Sequence, residues 1–240
     1  LNYLRLPIKT VRKKKYDLIK INGKKNIRSF NYNIPSDISS SAFFIVLVAL
    51  SRNSKLKIKN VNINPTRIGI LEILKKMGVN IKLSNYKIYR GEKIADLTII
   101  SNNSLKAINC PSSMNSAAID EFLLIFLVAA KAKGVSYFKN LSELNQKESP
   151  RLYWGAQILT KMGVKNVLKK DSIKIYGNPK LKIEKKITIK NFLKDHRVFM
   201  TSVIAALTFG GKWTIYDKDS VKTSFPTFIA KIKSLGGRLS

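Results

Sequence analysis

The sequence predicts an α/β domain in which three copies of one unit place apolar helices inside and amphipathic helices outside. Three helix candidates are apolar nearly all round, and each is followed by a strand and a second helix that ends at a glycine. Two of these endings, Lys76-Met77-Gly78-Val79 and Lys161-Met162-Gly163-Val164, are nearly the same string. A repeat of this kind indicates one fold unit used three times.

The first copy shows every part of the unit. Its predicted elements are, in order, an inner helix at 40–50, a strand at 56–63, an outer helix at 67–77, and two short strands at 79–83 and 87–89. Ile68, Leu71, Leu74 and Met77 recur at helical spacing with lysines between them, which predicts one buried face. Gly78 is the expected stop of the outer helix, since only glycine takes the left-handed conformation at little cost.

The second and third copies repeat this order. For the second we predict an inner helix at 119–131, a strand at 134–138, an outer helix at 150–162, and strands at 164–168 and 173–176. For the third we predict an inner helix at 197–209, a strand at 212–216 and an outer helix at 225–235. The repeated domain therefore covers residues 35–240, in units of about 35–105, 106–180 and 181–240.

Residues 1–34 lie outside the repeat. A hairpin-like segment at 16–27 and an extended one at 32–34 suggest the tail of a preceding domain, with a hinge near Pro35. The chain opens on Leu1 and not on an initiator methionine, so we expect further sequence upstream.

Composition limits the function classes. The formal charge of +31 suits nucleic acid, an acidic membrane or small anionic substrates, and charge alone does not choose among them. The lysines are spread along the chain, which indicates a solvated surface. The longest apolar runs, 42–50 and 122–130, are too short to cross a bilayer. With Cys110 as the single cysteine, we expect a cytoplasmic protein with no disulfide and no metal or haem site.

Three similar turns precede the outer helices, at 64–67, 147–151 and 222–226. Helix starts favour anions, because their unpaired N–H groups and the helix dipole are positive there. We predict Ser149 as N-cap and Pro150 as first helical residue of the second outer helix. That places the Arg151 cation against the dipole, a conflict that an anionic ligand would remove. The alternative is an arginine that points into water.

The inner helices also begin with charged residues. Asp195 is available as N-cap of the third inner helix, and His196 beside it has a structural role more often than a catalytic one. Arg197 precedes an apolar stretch and needs an acidic partner or a ligand. Asp120 and Glu121 open the second inner helix at the equivalent place, so these carboxylates and arginines are expected to converge. The alternative is that the acidic residues only cap their helix.

Together these strings resemble the 5-enolpyruvylshikimate-3-phosphate (EPSP) synthase family over nearly the whole chain. The matching segments are 37–44, 64–69, 119–121, 147–151, 195–197 and 223–226. The resemblance implies two domains of α+β inverse-barrel type, each with three β-α-β-α-β-β units, that close over the substrates in a monomeric enzyme. Residues 35–240 would form one domain without its short N-terminal strand. Residues 1–34 would be the tail of the other, and the isolated chain would be inactive.

The resemblance also implies a reaction, the transfer of the enolpyruvyl group of phosphoenolpyruvate to the 5-hydroxyl of shikimate 3-phosphate with release of phosphate. It needs no metal or organic cofactor. The implied catalytic roles are proton acceptor for Asp120, proton donor to the methylene carbon and later its proton acceptor for Glu148, and stabilisation of charge for Lys147. Shikimate 3-phosphate would be bound by Lys147, Asp120 and Arg67. Phosphoenolpyruvate would be bound by Arg151, Arg197 and Lys222. The match has two departures: Lys222 is offset by one residue, and Pro150 replaces the usual aspartate or threonine.

Basic neighbours are expected to keep Asp120 ionised.

Three alternative functions stay open at this point. A UDP-N-acetylglucosamine enolpyruvyl transferase typically has Asp-Leu-Arg where this chain has Asp-His-Arg, and its loop cysteine has no counterpart in Cys110. A nucleic-acid-binding protein is supported by the charge alone, because the sequence has no recognition motif. A noncatalytic fragment or degenerate copy is suggested by Leu1 and Pro150. We expect small-molecule substrates, with neither nucleic acid nor a membrane as partner.

Overall fold

A computed structural model describes residues 6, 8–23, 26, 29–101 and 104–239. Within these residues the helices are α1 (Ile38–Leu50), α2 (Gly69–Lys76), α3 (Asn115–Ala118), α4 (Phe122–Lys131), α5 (Arg151–Lys161), α6 (His196–Phe209) and α7 (Phe228–Ser234). The strands are β1 (Ile8–Arg12), β2 (Asp17–Ile21), β3 (Lys55–Asn62), β4 (Asn80–Tyr89), β5 (Glu92–Ile100), β6 (Gly134–Phe138), β7 (Asn166–Leu168), β8 (Ile173–Gly177), β9 (Ile183–Ile189) and β10 (Gly210–Ile215).

The predicted α/β fold with inner and outer helices is confirmed. The inner helices α1, α4 and α6 contact one another, and α4 is buried over its entire apolar length. The outer helices α2, α5 and α7 each bury one face and expose the other. An inner helix must be apolar all round because it packs on every side, whereas an outer helix needs only one apolar stripe.

The sheets repeat with the helices. The first two units carry antiparallel sheets of order β3-β5-β4 and β6-β8-β7, and in the third β9 pairs in parallel with β10. Parallel bridges Ser36–Val61 and Asn109–Tyr137 join the start of the first and second units to β3 and β6. The first two units therefore show the order β-α-β-α-β-β.

Three strands in the structure differ from the prediction. The segments at 79–83 and 87–89 form one strand, β4, with an irregular register between Ser84 and Lys87. The central strand β5 was not predicted, because it is buried along most of its length and lacks the alternation that identifies a half-exposed strand. The strand β9 was also missed, since its run of lysines reads as a solvated surface.

The N-terminal hairpin lies earlier than predicted. Strands β1 and β2 pair at 8–21, and the turn between them is closed by the hydrogen bond from Lys13 N to Tyr16 O. Tyr16 therefore ends the turn and does not begin the hairpin. Residues 32–34 form no strand, although the Asn33 N–H donates to the Tyr89 hydroxyl. Part of the predicted segment, at 24, 25 and 27, lies outside the described residues.

One helical stretch, Ser112–Lys131, is long and apolar enough to cross a membrane by length and composition. It is interrupted: a 3₁₀ turn at Ile119–Glu121 precedes α4, where the sequence predicted one continuous helix. Two thirds of its most apolar window, 67%, is buried inside the domain, as the core helix of a globular domain requires.

Candidate active site

The site lies where the first turns of α5 and α6 meet the turn before α4. Asp120 lies in that turn, Lys147 and Glu148 lie in the segment before α5, and Arg197 lies in the first turn of α6. Arg151 is the first residue of α5 and joins these elements. The packing of the units thus brings together side chains that are far apart in sequence, and the predicted convergence of carboxylates and arginines is confirmed.

Arg151 is the centre of this cluster. It is 1% exposed, so the alternative of an arginine that points into water is wrong. Its Nε donates to Asp195 Oδ2 at 2.9 Å, its Nη1 to Asp120 Oδ1 at 3.2 Å, and its Nη2 to a carboxylate oxygen of Glu148. A buried guanidinium requires such partners because its desolvation is otherwise uncompensated.

Asp195 has two roles. As predicted, it is the N-cap of α6, and its Oδ1 accepts hydrogen bonds from the backbone N–H of Arg197 at 2.8 Å and of Val198 at 3.4 Å. Its Oδ2 accepts from Arg151. Burial by itself raises the pKa of Asp195, but the hydrogen bonds and charge of Arg151 outweigh that effect and the pKa lies below its ordinary value. The residue is therefore ionised at neutral pH.

The predicted N-cap of α5 is wrong. Ser149 is buried, and its hydroxyl donates to Asp195 Oδ2 at 2.8 Å instead of accepting from the backbone of its own helix. Pro150 occupies the N-cap position without a side-chain hydrogen bond, and α5 begins at Arg151. The ionised carboxylate of Asp195 attracts the hydroxyl donor more strongly than a local backbone bond would.

Asp120 faces the open side of the cluster. Its side chain is 28% exposed, and Lys147 Nζ lies 3.5 Å from Oδ1. Burial raises the pKa of Asp120, but the charges of Arg197, Lys147 and Arg151 outweigh burial and lower the pKa overall. The prediction that basic neighbours keep Asp120 ionised is confirmed in direction.

Glu148 lies at the rim. Its side chain is 53% exposed, although its carboxylate pairs with the buried Arg151. Lys147, whose side chain is 23% exposed, also pairs with Glu143 at 3.1 Å on the outer side. An exposed acid beside a fixed guanidinium is free to exchange that contact for another anion.

Arg197 and Arg67 are linked through hydrogen bonds and an ion pair to Glu121 and Ser39. The sequence did not predict this role for either residue. Arg197 Nη1 donates to the Asp120 carbonyl oxygen at 2.8 Å and lies 3.4 Å from Glu121 Oε1. Arg67 Nη2 donates to Ser39 Oγ at 3.0 Å, and Ser39 Oγ donates to the same Glu121 oxygen at 2.6 Å. The only sequence signals were the acidic pair at 120–121 and the serine run that opens α1.

Two further candidates are less connected to the cluster. Lys222 lies in the 3₁₀ segment Lys218–Thr223, is 72% exposed and pairs with Asp219 at 2.8 Å. His196 is half-buried at the start of α6, and burial followed by the charge of Arg197 lowers its pKa, so it is neutral at pH 7.

Neither a metal nor a reactive thiol is indicated in the part of the chain that the structure describes. No group of three or more His, Cys, Asp or Glu side chains is arranged there to hold a metal ion. Cys110 is buried, and burial raises the pKa of its thiol to about 11. A thiol of this kind is protonated at neutral pH and is a poor nucleophile.

The chain has the fold of the enolpyruvyl transferases, with a polar cluster at its helix starts. The enolpyruvyl transferase NikO from Streptomyces tendae superimposes with a TM-score of 0.72 over 97% of this chain and 51% of its own, at 15% identity, a likeness of fold. The family model described as EPSP synthase (3-phosphoshikimate 1-carboxyvinyltransferase) matches residues 1–232. The chain belongs to the EPSP synthase family.

Individual relatives agree with this assignment. A 3-phosphoshikimate 1-carboxyvinyltransferase from Ruthia magnifica subsp. Calyptogena magnifica is 40% identical over 218 residues, which cover 89% of this chain and 48% of the relative. The solved structure of EPSP synthase from Acinetobacter baumannii gives a TM-score of 0.86 at 35% identity, over 97% of this chain and 53% of its own. The chain spans about half the length of the curated relatives it matches.

Proposed function

We propose that this chain supplies one side of the active site of an enzyme that transfers the enolpyruvyl group from phosphoenolpyruvate to the 5-hydroxyl of shikimate 3-phosphate. The observation that carries the proposal is the convergence of Asp120, Lys147, Glu148 and Arg151 in a chain of the EPSP synthase family. Two anionic substrates require several cations, and the chemistry requires an acid and a base among them.

Asp120 is the proposed base. Its lowered pKa keeps it ionised, and its partial exposure leaves room for a hydroxyl group. It accepts the proton of the 5-hydroxyl while that oxygen forms a bond to C2 of phosphoenolpyruvate. Glu148 donates a proton to the methylene carbon C3, which completes a tetrahedral intermediate. Glu148 then takes a proton back from C3 as phosphate leaves C2, which restores the double bond. The proton held by Asp120 passes to the departing phosphate.

Arg151 and Arg197 are the proposed partners of phosphoenolpyruvate. Arg151 already holds three carboxylates, of which Glu148 is the exposed one. A substrate carboxylate therefore replaces Glu148 on the guanidinium with the same charge and geometry, and Glu148 is released towards the methylene carbon. Asp195 stays in place because it is buried and also caps α6. Arginine suits this exchange because its planar fork binds carboxylate and phosphate alike.

The remaining cations bind at the edges. Lys147 contacts shikimate 3-phosphate beside Asp120, and Arg67 adds a cation from the first unit. Lys222 binds phosphoenolpyruvate only after it leaves Asp219 and turns inward, since its ammonium group lies on the exposed side. The proposal includes no metal or organic cofactor and no nucleic-acid or membrane partner. Under this proposal the complete enzyme is a monomer in the cytoplasm. Residues 1–34 are the tail of its second domain, and residues 35–240 form one domain whose units divide near 105 and 180.

The test uses this chain joined to the N-terminal half of the Acinetobacter baumannii EPSP synthase, with that complete enzyme as positive control. We expect phosphate release only when phosphoenolpyruvate and shikimate 3-phosphate are both present, and none from the 240 residues alone. Release with UDP-N-acetylglucosamine in place of shikimate 3-phosphate overturns the proposed substrate. A folded hybrid that releases no phosphate, beside an active control, overturns the proposed reaction.

A further inference from the structure

The proposed reaction leaves one buried acid of the site without a role. Glu121 follows Asp120 in the same 3₁₀ turn, but its carboxylate contacts Ser39 and Arg197, whereas that of Asp120 contacts Lys147 and Arg151. Glu121 is 2% exposed, and its carboxylate is already engaged by the Ser39 hydroxyl and the Arg197 guanidinium.

Glu121 lies at the meeting point of all three units. Ser39 lies in the first turn of α1 in the first unit, Glu121 precedes α4 in the second, and Arg197 lies in α6 of the third. Arg67, also from the first unit, reaches the same carboxylate through the Ser39 hydroxyl. Two guanidiniums from different units repel each other unless a negative charge is shared between them, and Glu121 supplies that charge.

The position of Glu121 is energetically costly. Burial raises its pKa, and Arg197, Ser39 and Arg67 oppose that effect without cancelling it. A buried carboxylate is tolerated when it is paired and hydrogen-bonded, and replacement of a whole buried ion pair by apolar side chains is often neutral for stability. Stability alone therefore gives a weak reason for a buried ion pair at this position, and orientation of the two arginines gives a stronger one.

We propose that Glu121 is a positioning residue that holds Arg197 directly and Arg67 through the Ser39 hydroxyl, so that both guanidiniums face the substrate anions in fixed orientations. This inference rests on the proposed function for the identity of those anions. The two contacts can be tested separately. Loss of the Ser39 hydroxyl should release Arg67 alone, whereas loss of the Glu121 charge should loosen both arginines.

The kinetic test uses the hybrid enzyme described above with Glu121→Gln, Ser39→Ala and Ser39→Thr. We expect Glu121→Gln to raise KM for phosphoenolpyruvate about tenfold, as the loss of one charged hydrogen bond implies. Its kcat should stay within about threefold of the parent, since ground-state and transition-state binding weaken together. Ser39→Ala should raise KM for shikimate 3-phosphate and spare that for phosphoenolpyruvate, and Ser39→Thr should restore it. Glu184→Gln, at an exposed ion pair, is the matched control.

Unchanged KM values in both Glu121→Gln and Ser39→Ala overturn the proposal. The proposal is also overturned if every variant loses activity equally, has an unchanged KM and yields less folded protein. That pattern would indicate that these residues have only a structural role. If Glu121→Gln does not fold, the two Ser39 variants provide the test. The proposal is supported if Ser39→Ala raises KM for shikimate 3-phosphate and Ser39→Thr has the parental value. It is contradicted if both variants have the parental KM.

A second readout separates this proposal from the proposed function. In the 240-residue chain labelled with ¹⁵N-arginine, we expect the guanidinium of Arg197 to rotate slowly in the parent and faster in Glu121→Gln, with no substrate present. Arg67 should loosen in Ser39→Ala while Arg197 does not. Equal rotation rates in parent and variants contradict the positioning role even if the hybrid is active. An inactive hybrid with the expected rates contradicts only the reaction.

Discussion

The guanidinium of Arg151 is buried against the carboxylate of Asp195, which at the same time caps the first turn of α6. One ion pair therefore fixes the orientation of the arginine at the centre of the site and joins the second unit to the third. Ser149 donates a further hydrogen bond to the same carboxylate. The site is thus held by contacts that also hold the fold, and the two roles can be separated by substitution.

Asp195→Asn should destabilise the chain strongly. The amide removes the negative charge that compensates the buried Arg151, and breaking a buried pair at one partner costs about 3–5 kcal/mol. The free energy of unfolding is measured by urea denaturation of the 240-residue chain. Asp219→Asn, at an exposed pair with Lys222, is the control and should leave the midpoint unchanged. Equal midpoints for both variants contradict the central role of the Arg151–Asp195 pair.

Asp120→Asn should reduce turnover far more than stability. Asparagine keeps the size of the side chain but accepts no proton, so kcat in the hybrid enzyme should fall by roughly 10²–10⁴-fold. The loss is measured as phosphate release at saturating substrates, with the thermal midpoint recorded beside it. Glu143→Gln, which removes the outer partner of Lys147, should keep most of the activity. If Asp120→Asn turns over at the parental rate, another group is the base.

Acid should destabilise the fold below about pH 4. The hydrogen bonds from the Asn60 N–H, Asn85 and Lys57 lower the pKa of Asp96 to about 2 from its usual 3.8, and the pKa values of Asp120 and Asp195 are also lowered. A carboxylate with a lowered folded-state pKa stabilises the protein above its unfolded pKa, and this stabilisation is lost as the pH falls through the folded value.

The free energy of unfolding should therefore decline between about pH 4 and pH 2. The raised pKa of Glu121 acts in the opposite sense and favours the folded state at low pH, but one such acid opposes four, since the pKa of Asp219 is also lowered. Denaturation at a series of pH values measures the slope. Asp96→Asn should flatten it, whereas Glu184→Gln should not. A parental slope in Asp96→Asn would show that its hydrogen bonds do not persist in solution.

Gly155→Ala should destabilise the packing of the outer helix α5 on the inner helix α4. A Cβ at this position would lie 2.7 Å from a ring carbon of Phe126 and 3.1 Å from a methyl carbon of Leu123. Overpacking of a filled core costs about 1–3 kcal/mol, which urea denaturation resolves. Gly23→Ala, where no heavy atom lies within 4 Å, is the control. An unchanged midpoint in Gly155→Ala would mean that the two helices can separate without cost.

Local sequence signals were enough to identify the repeat and the helices. Apolar stretches and glycine stops are local signals, and they located α1, α4 and α6 to within a few residues. The acidic N-cap of α6 was readable for the same reason, because Asp195 bonds to the N–H groups of its own next residues. Matching strings at equivalent helix starts identified the family, which the family model and the relatives confirmed.

The pairing of the charged residues depends on how the units pack. Arg151 and Asp195 are 44 residues apart and Ser39 and Glu121 are 82 apart, so their pairing depends on how the units pack. The same long-range effect turned Ser149 from a cap of its own helix into a donor to Asp195, and buried β5 between two strands. Local propensity contains no information about these partners, because the energy of a buried charge is set by the groups that surround it after folding.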